Sequence, residues 1–436
     1  MATNDPFQGL LQDLLKVIGG APGAQQAWLD AARSLAHGVA TEGQPETNTD
    51  PIVRIRFEEL GRVAELHVAD ATGFTFDRSP AFEPVGRGTW ALRALDAWAP
   101  TVGRIVEAQR ANPPTPAPFE DPGDVEALLA RFAGTLGPVL VGMQFGSAAG
   151  HLAQRALGQF ALPLPWPEST GILVVPDNVH RFAEEWSLPE DETRLWVCLR
   201  ELTAQTVLGR PHVAARIREL VDSLTLDMAE THQGLAERLG DQAGDPEALQ
   251  RILSDPEALL ADLLTPGQRR TSEDLVALTT VVASYVDHTT RTLATTLVGA
   301  AAPLGEAWYR YRIEESAAEE AAAVLFGLDL SRRQVDRGAA FIRGVIERAG
   351  EGGLQKLWSD PRHLPTPAEV DAPGLWLERI SLPDLEDLDD LDGEEDLEDL
   401  EDLEDLDDLD GEEDLEDLDG EEDLEDLDGE EDLDGD

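Results

Sequence analysis

The sequence predicts a mainly α-helical fold with at most a very small β element, followed by a disordered acidic tail. Apolar residues recur at helical spacing through most of the chain up to about residue 380. Only one short segment, 172–175, has the β-branched run of a strand. A leucine, aspartate and glutamate repeat then covers residues 383–436. With 436 residues, 42% of them hydrophobic, the chain can form a substantial core.

The helices are predicted in order along the chain. The segment 7–18 has one apolar face, and Asp50-Pro51 is typical of an N-cap followed by proline at the first helical position. After this start, apolar residues keep a helical spacing at Ile52, Ile55, Leu60, Val63, Ala64 and Leu66. Further helices are predicted at 137–160, 178–186, 190–208, 212–239, 272–298, 305–325 and 331–350.

Small residues recur every fourth position in the predicted helix 137–160, at Gly142, Gly146 and Gly150. This spacing favours close packing against another helix over a ligand site. A proline-rich stretch at 112–122 marks a boundary between an N-terminal helical region, 1–112, and a second helical region, 123–380. The two regions are predicted to form one continuous body.

In the predicted tail, 383–436, the leucines fall on a period of three, which matches neither a helix nor a strand. No apolar face can form, so the tail is predicted to be disordered. Residues 384–436 contain 35 acidic residues and no basic one, and the remaining 53 acids exceed the 33 bases of the chain by 20. The acidic field excludes direct binding to nucleic acid or anionic membrane and leaves a basic partner possible in principle.

A single cysteine, Cys198, excludes an internal disulfide and a cysteine-based zinc site. The first residues lack the basic and apolar regions of a signal peptide. The most apolar stretch, 293–308, is shorter than the roughly 20 residues of a membrane span. The predicted location is therefore the cytoplasm.

Three segments carry a resemblance to a known family: LVGMQFGSAAGHLAQRALGQFALPLP at 140–165, VVPDNVHRFAEEWSLPEDETRLWV at 174–197, and the stretch 312–328 with AEEAAAVLFGL. In their order they resemble the actinobacterial zincin-like proteins that are labelled zinc-dependent metalloproteases or hydrolases. The resemblance covers about residues 5–380. It implies a zincin-like multi-helix domain and, in the family, a zinc cofactor. Two histidines four apart on one helix and a later glutamate hold the metal, and a glutamate beside the first histidine activates water.

In this sequence the residues at those positions differ from the family pattern. Arg200 stands where the first histidine belongs, Ala204 where the second belongs, and Ala283 where the ligating glutamate belongs. Glu201 alone matches, as the family's general base. No metal site and no cofactor are therefore predicted, and the sequence leaves open whether the protein is an enzyme.

Asp287 and His288 are candidates for a cleft around the family's metal and general-base positions. A substitute metal site built from them and Glu201 is the less favoured reading, because five residues of helix rotate His288 away from Ala283. A structural pairing of Glu201 with Arg200 or Arg210 is favoured instead. Arg200 is expected to fill the metal position and to pair with Glu201 or Asp287.

These observations predict a catalytically inactive pseudoenzyme of the zinc-dependent metalloprotease type that acts as a binding scaffold. Its partner would be a protein or peptide, including a basic one. Two alternatives stay open. The protein is an active hydrolase with a non-standard site, or it is an interaction protein that works through its acidic tail. The sequence names neither a substrate nor an oligomeric state.

Overall fold

The computed structural model describes residues 27–46, 48–76, 79–111, 125–167, 171–224, 265–313 and 323–382. The predicted helix 7–18, the proline-rich boundary 112–122 and the tail 383–436 lie outside these residues. The described part is mainly α-helical with a two-stranded sheet, which confirms the predicted fold class. Helices from both sides of the predicted boundary pack together, while the domain limits themselves stay predictions.

The first helices assemble through small residues. Helix α1, Ala27–Ala40, lies against the second half of α4, Val125–Ala153. A Cβ on Gly142 would lie 2.4 Å from the carbonyl oxygen of Trp28, and one on Gly146 would lie 2.5 Å from that of Ala32. At Gly150 the nearest atom is the Val39 Cβ. The glycine spacing thus serves close helix packing, as predicted, because any side chain would force the backbones apart.

Helix α2, Pro51–Thr72, begins as predicted: the Asp50 carboxylate accepts a hydrogen bond from the Ile52 N–H, and Pro51 opens the helix. Its buried face differs from the predicted apolar positions. Ile52 and Leu66 are 73% and 69% exposed, and Ile55 and Val63 also face solvent. The buried residues are Phe57, Gly61, Ala64, Val68 and Thr72.

The sheet has two parallel strands, β1, Ala81–Pro84, and β2, Gly171–Val174, with Ala81 opposite Gly171. The sequence predicted β2 and missed β1, whose four residues are too few for a recognisable alternation. The end of β2 also contacts the segment that follows α4. The Val175 N–H donates to the Leu157 carbonyl, and Gly158 bridges to Val174. This contact positions the segment that follows α4.

The remaining elements are helical. Their bounds are α3, Arg87–Ala111; α5, Pro176–Glu185; α6, Glu190–Leu208; α7, 211–224; α8, Pro266–Leu297; α9, Ala301–Ile313; α10, Arg332–Ala349; α11, Glu351–Gln355; two short 3₁₀ turns, Lys356–Trp358 and Pro361–His363; α12, Pro367–Asp371; and α13, Pro373–Arg379. Helix α6 has the predicted bounds. The predicted helix 137–160 ends earlier, at Ala153, and the chain turns before Gly158.

Helix α6 lies at the centre of the body because it contributes to both hydrophobic clusters. Trp196, Leu199 and Leu202 belong to the cluster around α2 and the sheet. Ala204 and Val207 belong to the cluster shared by α1, α3, α4, α8 and α10. Between them lie Arg200 and Glu201, so these charges are held in the interior. No helix in the described part of the chain is long and apolar enough to cross a membrane.

Candidate functional site

A cavity of about 80 Å³ lies beside the middle of α6. Arg200, Glu201 and Ala204 line it from α6, and Ala283 lines it from α8. The structure thus brings together the four residues that the sequence places at the family's metal and base positions. Their equivalence to those positions stays a prediction. Trp308, Tyr311 and Arg312 of α9 complete one wall, and Phe160 lies on another.

The Glu201 carboxylate is the most deeply buried charged group of the cavity, with 1% of its side chain exposed. Oε1 accepts a hydrogen bond from Arg200 Nη1 at 2.7 Å, and Oε2 accepts one from the Phe160 N–H at 2.8 Å. The carboxylate lies directly under Gly158, where a Cβ would be 2.4 Å from the Glu201 Cδ. Only glycine leaves room for the carboxylate in this position.

The Arg200 guanidinium is held on two sides. Its Nη1 donates to Glu201 and, at 3.3 Å, to the Phe160 carbonyl. Its face lies over the Trp308 ring, 4.5 Å from the centroid, in a cation–π contact. The side chain is 12% exposed. As expected, Arg200 pairs with a carboxylate, and the carboxylate is that of Glu201.

Burial raises the pKa of Glu201 because the charged form loses its hydration. The charge of Arg200 and the hydrogen bonds from Phe160, Arg200 and Gln159 act in the opposite direction without overcoming burial. Cys198 is also fully buried, and burial together with the nearby Glu201 raises the pKa of its thiol well above its usual range. A thiol in this state is a poor nucleophile.

Asp287 and His288 are not among the residues that line the cavity. The Asp287 carboxylate accepts hydrogen bonds from Trp308 Nε1, at 2.9 Å, and from Arg312. His288 Nε2 lies 3.2 Å from the Glu351 carboxylate. Both residues line a separate groove of about 710 Å³ between α8, α9 and α10. The structure therefore does not bring them together with Glu201.

The other partner proposed for Glu201, Arg210, is also engaged elsewhere. Its guanidinium lies 3.4 Å from the centroid of the Phe74 ring. Burial lowers the pKa of Arg210. The sequence predicted either Arg200 or Arg210 as the partner of Glu201. In the structure the partner is Arg200, its neighbour in the chain.

A profile of the family described as "Zincin-like metallopeptidase" matches residues 28–377. The chain belongs to the zincin-like metallopeptidase family. The fold is shared with the crystal structure of "a putative hydrolase with a novel fold" from Chloroflexus aurantiacus, at 20% sequence identity and a TM-score of 0.56. The alignment covers 81% of this chain and 99% of that chain. No curated protein sequence matches this chain significantly.

Zinc is the metal that membership of the zincin-like family implies, and the residues of this cavity do not fit it. A catalytic zinc ion needs three protein ligands from histidine, cysteine or carboxylate side chains. Among the described residues, no group of three or more such side chains could hold a metal ion. The alanines at 204 and 283 have no donor atom, and the one carboxylate in the cavity, Glu201, is bound to a guanidinium.

Several residues that shape the cavity of this zincin-like protein were not singled out from the sequence. They are Gly158, Phe160, Trp308 and Arg312. The prediction extended the helix to residue 160 and so missed the turn after Ala153 that brings Phe160 to Glu201. The signal that could have found this turn is the Gly158-Gln159-Phe160 run, since glycine near a helix end often marks a change of direction.

Proposed function

We propose that this protein is a metal-free pseudoenzyme of the zincin-like family that acts as a binding scaffold for a protein or peptide. The observation that supports the proposal most strongly is the buried ion pair of Arg200 and Glu201, 2.7 Å apart in the cavity. A basic partner and a cytoplasmic location belong to the same proposal. The formal net charge of −55 favours the basic partner.

The ion pair opposes zinc chemistry for two reasons. A guanidinium next to Glu201 repels a divalent cation, and it never deprotonates in a protein. The two carboxylate oxygens of Glu201 already accept hydrogen bonds from Arg200 and from the Phe160 N–H. A general base must reach the proton that it removes, and both of these oxygens are occupied by donors of the protein itself.

Elemental analysis of the purified full-length chain tests the proposal. After dialysis against metal-free buffer, the protein should carry much less than one zinc per chain. Added zinc should not produce peptidase activity on casein, because the residues that the structure describes include no group of three metal ligands. About one tightly bound zinc per chain, or peptidase activity that Glu201→Gln abolishes, would contradict the pseudoenzyme and favour the active hydrolase.

A variant that restores the family's ligands sharpens the test. Arg200→His, Ala204→His and Ala283→Glu together place two histidines four residues apart on α6 and a carboxylate opposite them on α8. We expect this triple variant to bind about one zinc per chain. The matched control carries Arg200→His and Ala283→Glu without the second histidine and should bind zinc much more weakly. A triple variant that folds and binds no zinc would show that these positions are not the family's metal positions.

A further inference from the structure

Helix α2 carries a stripe of exposed apolar side chains on its outer side. Eight large hydrophobic residues are exposed in the described part of the chain, and four of them lie on this one helix. The four, each at least 43% exposed, are Ile52, Ile55, Val63 and Leu66. Single exposed apolar residues need no explanation, but such a concentration on one element is typical of an interaction surface.

The stripe lies on the side of α2 opposite the face that packs into the protein. At about 100° per residue, the four apolar positions fall within about 80° of the helix circumference. Their centre lies about 180° from the centre of the buried face. The buried residues are Phe57, Gly61, Ala64, Val68 and Thr72. The stripe is therefore the most protruding ridge of α2, and it is open to another molecule along about 21 Å of helix.

The spacing of the stripe is the same in both directions from Glu59. Ile52 and Leu66 each lie seven residues from Glu59, and Ile55 and Val63 each lie four residues from it. In an interface with twofold symmetry, the contact of one residue with another is repeated in reverse. Two antiparallel copies of α2 with the axis at Glu59 would pack Ile52 on Leu66 of the second copy. The same arrangement would pack Ile55 on Val63, so each apolar residue of the stripe meets an apolar partner.

The charges at the centre of the stripe fit the same arrangement. Within one copy, Arg56 Nη1 lies 3.2 Å from Glu59 Oε2. Arg62 is exposed and makes no ion pair with any residue that the structure describes. In the antiparallel pair, Arg62 lies about one helical turn from the axis, where it can reach Glu59 of the second copy. Two reciprocal ion pairs result, which add little free energy at an exposed site but favour this orientation.

A lipid surface is a poorer occupant for this stripe than a second copy. Helices that lie on membranes have lysine and arginine around the apolar face, and anionic lipids attract them. Here Glu59 lies in the middle of the stripe, and the chain has a formal net charge of −55. An anionic membrane would repel this chain.

We propose that α2 forms a homodimer interface, in which the stripe packs in antiparallel orientation against the same stripe of a second copy. A stable interface usually takes about 800 Å² from each partner, or about 20–30 residues. One exposed helix face offers fewer residues, so the dimer should be weak, with a Kd in the micromolar range. The inference goes beyond the proposed function and does not depend on the zinc content of the cavity.

Sedimentation velocity of the full-length chain tests the dimer. The buffer contains about 0.5 M sodium chloride, because two chains of this charge repel each other at low ionic strength. Between about 1 and 100 µM protein, the sedimentation coefficient should rise from that of a monomer toward that of a dimer. Leu66→Asp should raise the Kd about 100-fold or more, because the twofold symmetry buries the added carboxylate twice.

Leu375→Asp is the matched control for Leu66→Asp. It changes another exposed leucine, on α13 and outside the stripe, and should leave the Kd unchanged. Both leucines are exposed in the single chain, so both variants should keep nearly the melting temperature of the unsubstituted protein.

Two cysteine variants test the antiparallel arrangement itself. An axis at residue 59 brings this position against its own copy, with the two Cα atoms about 4–5 Å apart for helices in close contact. A disulfide can span this distance. Oxidation with copper phenanthroline should therefore link Glu59→Cys chains into a covalent dimer. Glu58→Cys is the control, because this position is also exposed but is rotated about 100° from the stripe. The natural Cys198 is buried in both variants.

Three results would overturn the inference. The first is a chain that stays monomeric up to about 100 µM, which would leave the stripe to another protein or to a lipid surface. The second is a dimer whose Kd is the same in Leu66→Asp as in Leu375→Asp. The third is a Glu59→Cys variant that forms no covalent dimer, or forms it no faster than Glu58→Cys.

Discussion

Two buried glutamates, each paired with an arginine, differ in what their surroundings do to them. Glu201 lies in the cavity beside Arg200, and burial raises its pKa despite the pair. Glu369 lies at the start of α12, where it accepts a hydrogen bond from the Thr366 N–H and one at 3.0 Å from Arg379. Burial acts to raise the pKa of Glu369 too, but the hydrogen bonds from Arg379 and Thr366 lower it overall.

The surroundings of Glu369 stabilise its charged form, whereas those of Glu201 disfavour its charged form. The pair of Glu369 and Arg379 therefore has a structural role that the pair of Glu201 and Arg200 lacks. Glu369 completes a capping box with Thr366, so its charged form is stabilised by the helix that it caps. The interior around Glu201 disfavours its charged form, and replacing such a buried pair by apolar residues is often neutral or stabilising. A buried pair whose charged carboxylate is disfavoured by its surroundings is a candidate for function rather than for stability.

The largest expected effect is the loss of one partner in the cavity. Glu201→Ala leaves the buried Arg200 charge uncompensated and should lower the free energy of unfolding by about 3–5 kcal/mol. Chemical denaturation of the two proteins measures the difference. The double variant Arg200→Met with Glu201→Leu is the matched control and should lie within about 1 kcal/mol of the unsubstituted protein, or above it. A double variant as unstable as Glu201→Ala would mean that the pair stabilises the fold, as at Glu369.

The next effect concerns the space that the Glu201 carboxylate occupies. Gly158→Ala would place a methyl group against this carboxylate and should destabilise the protein by about 1–3 kcal/mol. Gly103→Ala is the control, because no atom lies within 4 Å of a Cβ there; within helix α3 it should be neutral or stabilising by up to about 1 kcal/mol. In a Glu201→Ala background the cost of Gly158→Ala should fall. Equal costs in both backgrounds would show that the carboxylate does not fill that space.

A smaller effect is expected at the other glutamate. Glu369→Gln removes the charge that Arg379 and the capping box share, and should cost about 1–2 kcal/mol, since Arg379 is partly exposed and water screens the pair. Glu378→Gln is the control, because it removes the charge of an exposed glutamate nearby, and it should change the free energy of unfolding little. A larger loss at Glu369 than at Glu201 would reverse the comparison.

The smallest expected effect is on the pH dependence of stability, where Glu201 and Glu369 should act with opposite signs. A raised folded-state pKa means that Glu201 favours the folded state below its unfolded pKa of about 4.5 and loses this contribution as the pH rises through the folded value. The lowered pKa of Glu369 means that its contribution is present above about pH 4.5 and is lost as the pH falls through its folded value. Thermal unfolding between about pH 3 and 7 tests both signs. As the pH increases, the melting temperature of the unsubstituted protein should fall relative to that of Glu201→Gln. Over the same range it should rise relative to that of Glu369→Gln. Slopes of the same sign would contradict the opposite directions assigned to the pKa values of Glu201 and Glu369.

The sequence by itself determined the features that depend on near neighbours in the chain. The helical class, the Asp50-Pro51 start and the bounds of α6 were all predicted correctly, because apolar periodicity and capping act over a few residues. The ion pair of Arg200 and Glu201 also joins near neighbours, since the two residues are adjacent in the chain.

Tertiary structure alone decided the features that join distant parts of the chain. It selected Phe160 as the backbone partner of Glu201, Arg312 as the partner of Asp287, and Glu351 as the partner of His288. It also turned a different face of α2 inward and paired β1 with β2. The physical reason is that one helix pattern is compatible with several orientations. Which side chains meet depends on the packing of other elements, and that packing satisfies many contacts at once.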